Sequence, residues 1–211
     1  SIRFSPDGQR VAAVLHAGTY DMDDWCWKLL LDDKIGPAGK DYYTALTFSP
    51  DSKHFACIVG GHQLNYMEKN SISYNYASSD FILDGKRIIS FDRMPYTLAY
   101  PSENPVPGIV FSPDSTKVAV AGHTKAEGDV LLVNEKITTG LGRITAICFS
   151  PDSSRMACLS DDSTILIDGI RQQPYRRILR ETLRFKDNTT LQYLALSQDG
   201  KRWLLVEEAI Q

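Results

Sequence analysis

No stretch of this 211-residue sequence approaches the roughly 18 consecutive apolar residues that a membrane-spanning helix needs. Charge of either sign is not in excess: 23 Lys and Arg stand against 26 Asp and Glu, a formal net charge of -3. Nothing therefore draws the whole chain to a polyanion, and nucleic acid is not an expected partner. Cysteine is sparse, and Cys26, Cys57, Cys148 and Cys158 lack the C-x-x-C spacing of zinc or redox motifs. They read as buried thiols acting as small hydrophobes. Cys148 and Cys158 flank one expected hairpin and leave a disulfide open. Also missing are a nucleophile motif, a glycine-rich phosphate loop and a converging set of metal ligands, so neither a cofactor nor catalysis is expected. None of these absences assigns a compartment or an oligomeric state.

What the sequence does have is a repeat. Five segments align without a gap: Ile2-Arg3-Phe4-Ser5-Pro6-Asp7-Gly8, Leu46-Thr47-Phe48-Ser49-Pro50-Asp51-Ser52, Ile109-Val110-Phe111-Ser112-Pro113-Asp114-Ser115, Ile147-Cys148-Phe149-Ser150-Pro151-Asp152-Ser153 and Leu194-Ala195-Leu196-Ser197-Gln198-Asp199-Gly200. Their aligned Phe or Leu residues stand 44, 63, 38 and 47 residues apart. Apolar residues alternate before each turn, the period-2 signature of a strand. Pro presets φ in the turn, Asp bonds nearby amides, and Gly or Ser follows. A second strand comes next, with Ala12, Ala56, Ala119 and Ala157 in one column, as stacked sheets about 10 Å apart require wherever a bulky residue needs a small opposite number. Phe48, Phe111 and Phe149 are expected to be buried between sheets. In the first four copies a second hairpin follows, turning at Asp32-Asp33, Asp84-Gly85, Asn134-Glu135 and Asp168-Gly169.

Two hairpins make a four-stranded blade. The fourth copy, from Phe149-Ser150-Pro151-Asp152 through Met156 to Asp168, resembles a WD repeat lacking its Trp. The others, with Asp-Gly-Lys and with Gly36-Pro37 or Pro174-Tyr175, resemble the bacterial WD-like repeats of the TolB type. Ser197-Gln198-Asp199-Gly200-Lys201-Arg202-Trp203 is also similar to the Asp-box of sialidase propellers, one residue short, but aligns as the fifth copy of the turn. The resemblance implies an all-β propeller of four-stranded antiparallel blades, a single domain over 1–211 with repeats starting near 1, 45, 108, 146 and 193. The fifth copy runs out after its second strand, so about four and a half blades are expected, as part of a larger propeller of about six to eight.

In such an arrangement the second-to-third-strand loops and the blade connections share one face, and the short turns occupy the other. The segments 16–26, 60–80, 122–129, 89–107 and 170–190 vary most in length, and variable loops on a repeated scaffold are where binding sits. Candidate contact residues are Tyr20, Asp23 and Trp25 in the first, His62, Tyr66, Tyr74 and Tyr76 in the second, and Arg176 and Arg177 in the last. Tyr among Asn and Ser suits a contact loop. Residues 20–27 carry acids but lack the Gly and distal Glu of a calcium loop. Arg171, Arg176, Arg177, Arg180, Arg184 and Lys186 form a basic stretch fit for an acidic surface. His16, Gly60, His123, Asp161 and Glu208 recur twelve residues after the aligned Phe or Leu; sheet spacing sets them too far apart to share one ion, so hydrogen bonding at strand ends is expected. The function these features imply is a non-catalytic protein-interaction scaffold that binds a protein or peptide on its long-loop face. The alternative is the propeller portion of a larger hydrolase or peptidase whose catalytic residues lie outside the chain.

Overall fold

A computed structural model describes residues 2–17, 26–36, 42–65, 73–92, 108–161 and 163–210. They fall into two compact units, Ser1–Met94 and Pro95–Gln211, and the division lies between repeats. The first unit holds two four-stranded antiparallel sheets, β1 (Ile2–Phe4), β2 (Val11–Ala17), β3 (Cys26–Leu31), β4 (Lys34–Ile35), and β5 (Tyr42–Phe48), β6 (Phe55–Asn65), β7 (Ser73–Leu83), β8 (Lys86–Phe91). The second unit holds three: β9 (Ile109–Phe111), β10 (Val118–Thr124), β11 (Gly128–Val133), β12 (Lys136–Thr139); β13 (Ile144–Phe149), β14 (Met156–Ser160), β15 (Thr164–Ile167), β16 (Ile170–Arg171); and a fifth from β17 (Arg177–Ile178), β18 (Arg184–Phe185), β19 (Thr190–Leu196) and β20 (Trp203–Ala209). The first four sheets follow chain order, so each is a blade of the propeller type.

The turn after the first strand is built around its serine. The Ser5, Ser49, Ser112 and Ser150 hydroxyls each donate to the Asp two residues on at 2.6 Å. Each hydroxyl also accepts the backbone N–H five residues on, at 2.9 to 3.0 Å. The same carboxylates accept the N–H two residues beyond themselves. All four serines are buried, so these bonds replace water that the hydroxyls cannot reach. The next position is left-handed, with φ of 70 at Gly8, 65 at Ser52 and 62 at Ser153. A side chain there costs roughly 1 kcal/mol. At Ser52 and Ser153 the hydroxyl offsets that cost by accepting the N–H of Asp7 and of Asp114, in the turn of the preceding sheet. Arg10 reinforces the first seam: its guanidinium meets Asp32, the Ser52 and Lys53 carbonyls and the Phe48 ring.

Between sheets, small residues face large ones. Ala12, Ala56, Ala119 and Ala157 are fully buried. Ala12 shares one cluster with Leu46, Phe48, Phe55 and Cys57, and Ala157 another with Leu159, Ile165, Leu191 and Tyr193. Phe48 and Phe149 are buried as expected. Phe111 is only half-buried, on the first strand of its unit. Cys148 pairs in register with Ala157 and Cys158 with Ile147, so the two thiols point to opposite faces of the sheet and no disulfide is possible. Cys148 packs toward the fifth sheet and Cys158 toward the third. Burial pushes the thiol pKa of each, and of Cys57, up to about 12.

The fifth sheet departs from expectation. The strands on either side of Ser197-Gln198-Asp199-Gly200 were expected to be its first and second; they are its second and third. β19 pairs with β20 on one edge and with the short β17 and β18 on the other. Residues inside the expected 170–190 connector thus supply the first strand, interrupted by a 3-10 turn at Arg180–Thr182. The Thr182 hydroxyl bridges the interruption by accepting the Leu194 N–H at 2.9 Å. The true first turn is Lys186 to Thr189, and Asn188 Oδ1 accepts the Asp152 N–H at 3.0 Å, the part played elsewhere by Ser52 and Ser153. The Ser197 turn still has the same internal bonds, Ser197 to Asp199 at 2.5 Å and Arg202 N–H to Ser197 at 3.1 Å. Turn chemistry is local and forms wherever two antiparallel strands meet, so it marks a hairpin and not a position in the sheet.

Two outcomes follow from this packing and turn geometry. In urea denaturation, Phe48→Ala and Phe149→Ala should each cost about 3–5 kcal/mol. Ile170→Ala, at a residue 69% exposed on the outer strand β16, should cost under about 1 kcal/mol; equal costs would contradict the assignment of faces. The serine hydroxyls, with backbone amides, hold Asp7, Asp114, Asp152 and Asp199 below the usual carboxylate pKa, Asp114 at about 2. Such depressed groups contribute stability that is present above the unfolded pKa, about 3.9, and is lost as pH falls through the folded value. Asp114→Asn keeps the acceptor oxygen but cannot titrate. Its stability should therefore fall less steeply than that of the wild type between about pH 4 and pH 2; parallel curves would refute the role of the carboxylate.

Candidate binding surface

Antiparallel order sends alternate connections to opposite ends of each sheet. The first and third turns share one end, which the side chain of the second hairpin confirms: Asp32, Asp84, Asn134 and Asp168 each accept the N–H of the first residue of the second strand, Val11, Phe55, Val118 and Met156. That end is constant. The second-to-third connection and the link to the next sheet lie at the other end, and there the sheets differ.

The recurrent polar residues at this variable end are engaged locally. His123 Nδ1 lies 2.9 Å from Asp129 across the strand pair, and the His16 ring packs on Trp27 with centroids 4.9 Å apart. Asp161 accepts the Arg143 N–H, and the neighbouring buried Ser160 donates to the Leu141 carbonyl at 2.6 Å. Gly142 is fixed by this contact, since a Cβ there would meet the Asp161 and Ser160 oxygens at 2.5 and 2.6 Å. Glu208 is the exception: in the fifth sheet it pairs with Leu191 beside the Lys186–Thr189 turn, at the constant end, where it accepts from the Tyr193 hydroxyl at 3.0 Å, and burial raises the pKa of that phenol. Each of these bonds closes a strand end.

The 60–80 segment, expected as a loop, is largely strand. β6 and β7 run eleven residues each, and their ladder continues past Gly60 and Ser79 to Asn65 and Ser73. Among the described residues β5 pairs only as far as Gly60 and β8 only as far as Ser79, and beyond them the β6–β7 ladder continues as a two-stranded ribbon. A bulge between Gly60 and His62 marks its base. Glycine is required there because a Cβ would come within 2.8 Å of the Ser79 Cα. The register sets His62 opposite Tyr76 and Leu64 opposite Tyr74. Three expected contact residues, His62, Tyr74 and Tyr76, are thereby brought together at ladder positions. Tyr66, Tyr20, Asp23 and Trp25 lie outside the described residues. The 122–129 segment is also mostly strand, closed by a tight turn in which Glu127 N–H bonds the Thr124 hydroxyl.

The basic stretch separates into two groups. Arg180 pairs with Glu181, Arg184 donates twice to Gln192, Lys186 pairs with Glu207, and Arg171 reaches the Gly140 carbonyl. Arg176 and Arg177 instead lie beside the Ser197 turn: the Arg176 guanidinium stands over Gly200 and Arg177 pairs in register with Leu196. Lys201 and Arg202, in that turn, were not singled out in the sequence, because the turn was placed at the other end of the sheet.

Residues 135–167 match the family model of the WD domain, G-beta repeat. The match runs from β12 through β15, the last strand of one sheet and three of the next, so the repeat is WD-like and the sheets are WD-like propeller blades. No curated protein matches the chain. Among solved structures, hydrazine synthase from Kuenenia stuttgartiensis is similar at 14% identity and a TM-score of 0.47, covering all of this chain and 71% of that one. The C-terminal WD40 domain of Sif2 is similar at 12% identity and a TM-score of 0.49, covering all of this chain and 57% of that one. Likeness at this level says nothing of chemistry.

Proposed function

We propose that the chain is a non-catalytic protein-interaction scaffold that binds a protein or peptide at the variable ends of its sheets. The observation that carries this reading is the β6–β7 ribbon. It extends a paired backbone past its own sheet, and its described arms, His62-Gln63-Leu64-Asn65 and Ser73-Tyr74-Asn75-Tyr76, hold no Lys, Arg, Asp or Glu. Tyr is a frequent energetic centre of protein contacts, because it buries a large area at low entropic cost. His62, Tyr66, Tyr74 and Tyr76 are the ribbon contacts in this reading, Tyr20, Asp23 and Trp25 belong to the neighbouring connection, and Arg176 and Arg177 to the fifth sheet.

Replacing residues 61–78 by a two-residue Asn-Gly turn should leave stability within about 1 kcal/mol, since Gly60 and Ser79 already face each other across the ladder. Affinity purification with the shortened protein, compared by mass spectrometry with the wild type, should lose the specific partner. Recovery of the same partners by both proteins would overturn the ribbon as the contact site.

A further inference from the structure

The outer edges of the sheets are guarded by charge. The fourth strand ends the order of each of the first four sheets and carries an exposed cation: Lys34 in β4, Lys86 and Arg87 in β8, Lys136 in β12 and Arg171 in β16. A cation on an edge opposes the addition of a further strand, because that strand must strip water from the charge or meet its like. The β6–β7 ribbon has no such guard. Its described arms, residues 61–65 and 73–78, contain no Lys, Arg, Asp, Glu or Pro. Among the described residues no strand pairs with the outer edge of either arm beyond Gly60 and Ser79. The N–H and C=O groups along such an edge are a template for another strand.

The β7 arm is its own complement. Ser73-Tyr74-Asn75-Tyr76-Ala77 reads nearly the same in both directions about Asn75. An antiparallel copy centred on Asn75 sets Tyr74 opposite Tyr76 of the second copy, Tyr76 opposite its Tyr74, and the small Ser73 opposite the small Ala77. Any other centre keeps at most one tyrosine pair. Tyrosine favours strands, aromatic residues directly opposite each other stabilise a ladder, and a two-fold axis makes each such contact twice. The β6–β7 register carries the rows further, since Leu64 stands opposite Tyr74 and His62 opposite Tyr76. Four strands in the order β6, β7, β7, β6 then share two rows, each made of the Leu64, Tyr74, Tyr76 and His62 positions. No charge in either described arm repels the second copy.

We propose that the outer edge of the β7 arm pairs with the same edge of a second copy of this chain, antiparallel about Asn75, so that two ribbons form one four-stranded sheet across a two-fold axis. This rests on the reading of the ribbon as a contact site. The two fail separately, because a chain that stays monomeric can still lose a partner when its ribbon is shortened.

The test is sedimentation velocity of the whole chain from about 1 to about 100 µM, over which mass action should move the boundary from monomer toward dimer. The protein with Asn-Gly in place of residues 61–78 should stay monomeric. Y74K/Y76K sets like charges opposite each other in the centred register and should weaken association by at least about tenfold. Y74K/Y76E removes the same two rings but sets Lys opposite Glu twice, so it should associate at least about tenfold more tightly than Y74K/Y76K at low salt and lose that gain at high salt. Hydrogen exchange at Ile58 and Phe81, paired deeper in the same ladder, should be unchanged in every variant, which separates loss of association from loss of fold. A wild type that stays monomeric throughout overturns the proposal. So does a dimer of the shortened protein, a Y74K/Y76K variant that associates like the wild type, or a Y74K/Y76E variant that associates no better than Y74K/Y76K.

Discussion

The structure depends on one buried hydroxyl repeated from sheet to sheet. Ser5, Ser49, Ser112 and Ser150 each donate to an aspartate and accept a backbone N–H, and this closes the first hairpin of the first four blades in the same geometry. Because the turns are alike, their left-handed corners come into line, and Ser52, Ser153 or Asn188 can accept an amide from the turn before. The hydrophobic seams supply most of the stability, but they are not directional. The turn bonds set the stagger at which small residues such as Ala12 and Ala157 meet large ones. Fixing one end of each sheet also frees the other end to vary, and the ribbon and the basic turn both lie at that free end.

Much of this was legible in the sequence, because turn chemistry and period-2 alternation are local signals. The Phe-Ser-Pro-Asp copies at 4, 48, 111 and 149 became first hairpins, and the Asp or Asn residues at 32, 84, 134 and 168 became second ones. The same locality caused the main error. Ser197-Gln198-Asp199-Gly200 forms the turn its residues dictate, yet joins the second strand to the third; Leu196 in place of Phe and Gln198 in place of Pro were the differences visible in the motif. The first strand of that sheet was hidden because Thr182 substitutes a hydroxyl for a backbone partner, so Leu179 to Leu183 carry no strand pattern. Asn188 was invisible for a related reason: its role is defined by the neighbouring sheet and not by its own turn.

The candidate surface was legible in composition but not in form. Tyr, Asn and Ser in residues 60–80 suggested a contact segment, and the same residues read as a loop because Gly60 and the polar run break the apolar alternation. The ladder that continues to Asn65 and Ser73 depends on a bulge whose need for glycine appears only when Ser79 is placed opposite. The basic stretch from Arg171 to Lys186 looked uniform in sequence. The fold divides its cations: Arg184 lies by Gln192 near one end of β19, while Arg176 and Arg177 lie beside Gly200 and Leu196 at the other.

The central claim is that the turn serine, and not the proline or glycine beside it, holds each blade in register. The direct measurement is the equilibrium stability of Ser150→Ala, since Ser150 is fully buried and its removal leaves the Arg155 N–H and the Asp152 carboxylate each short of a partner. The account predicts a loss of about 2–3 kcal/mol, with increased amide exchange at Arg155 and at Asp114, whose N–H bonds Ser153 in the same turn. A loss below about 0.5 kcal/mol, the range of an ordinary surface substitution, with exchange unchanged at both amides, would contradict it.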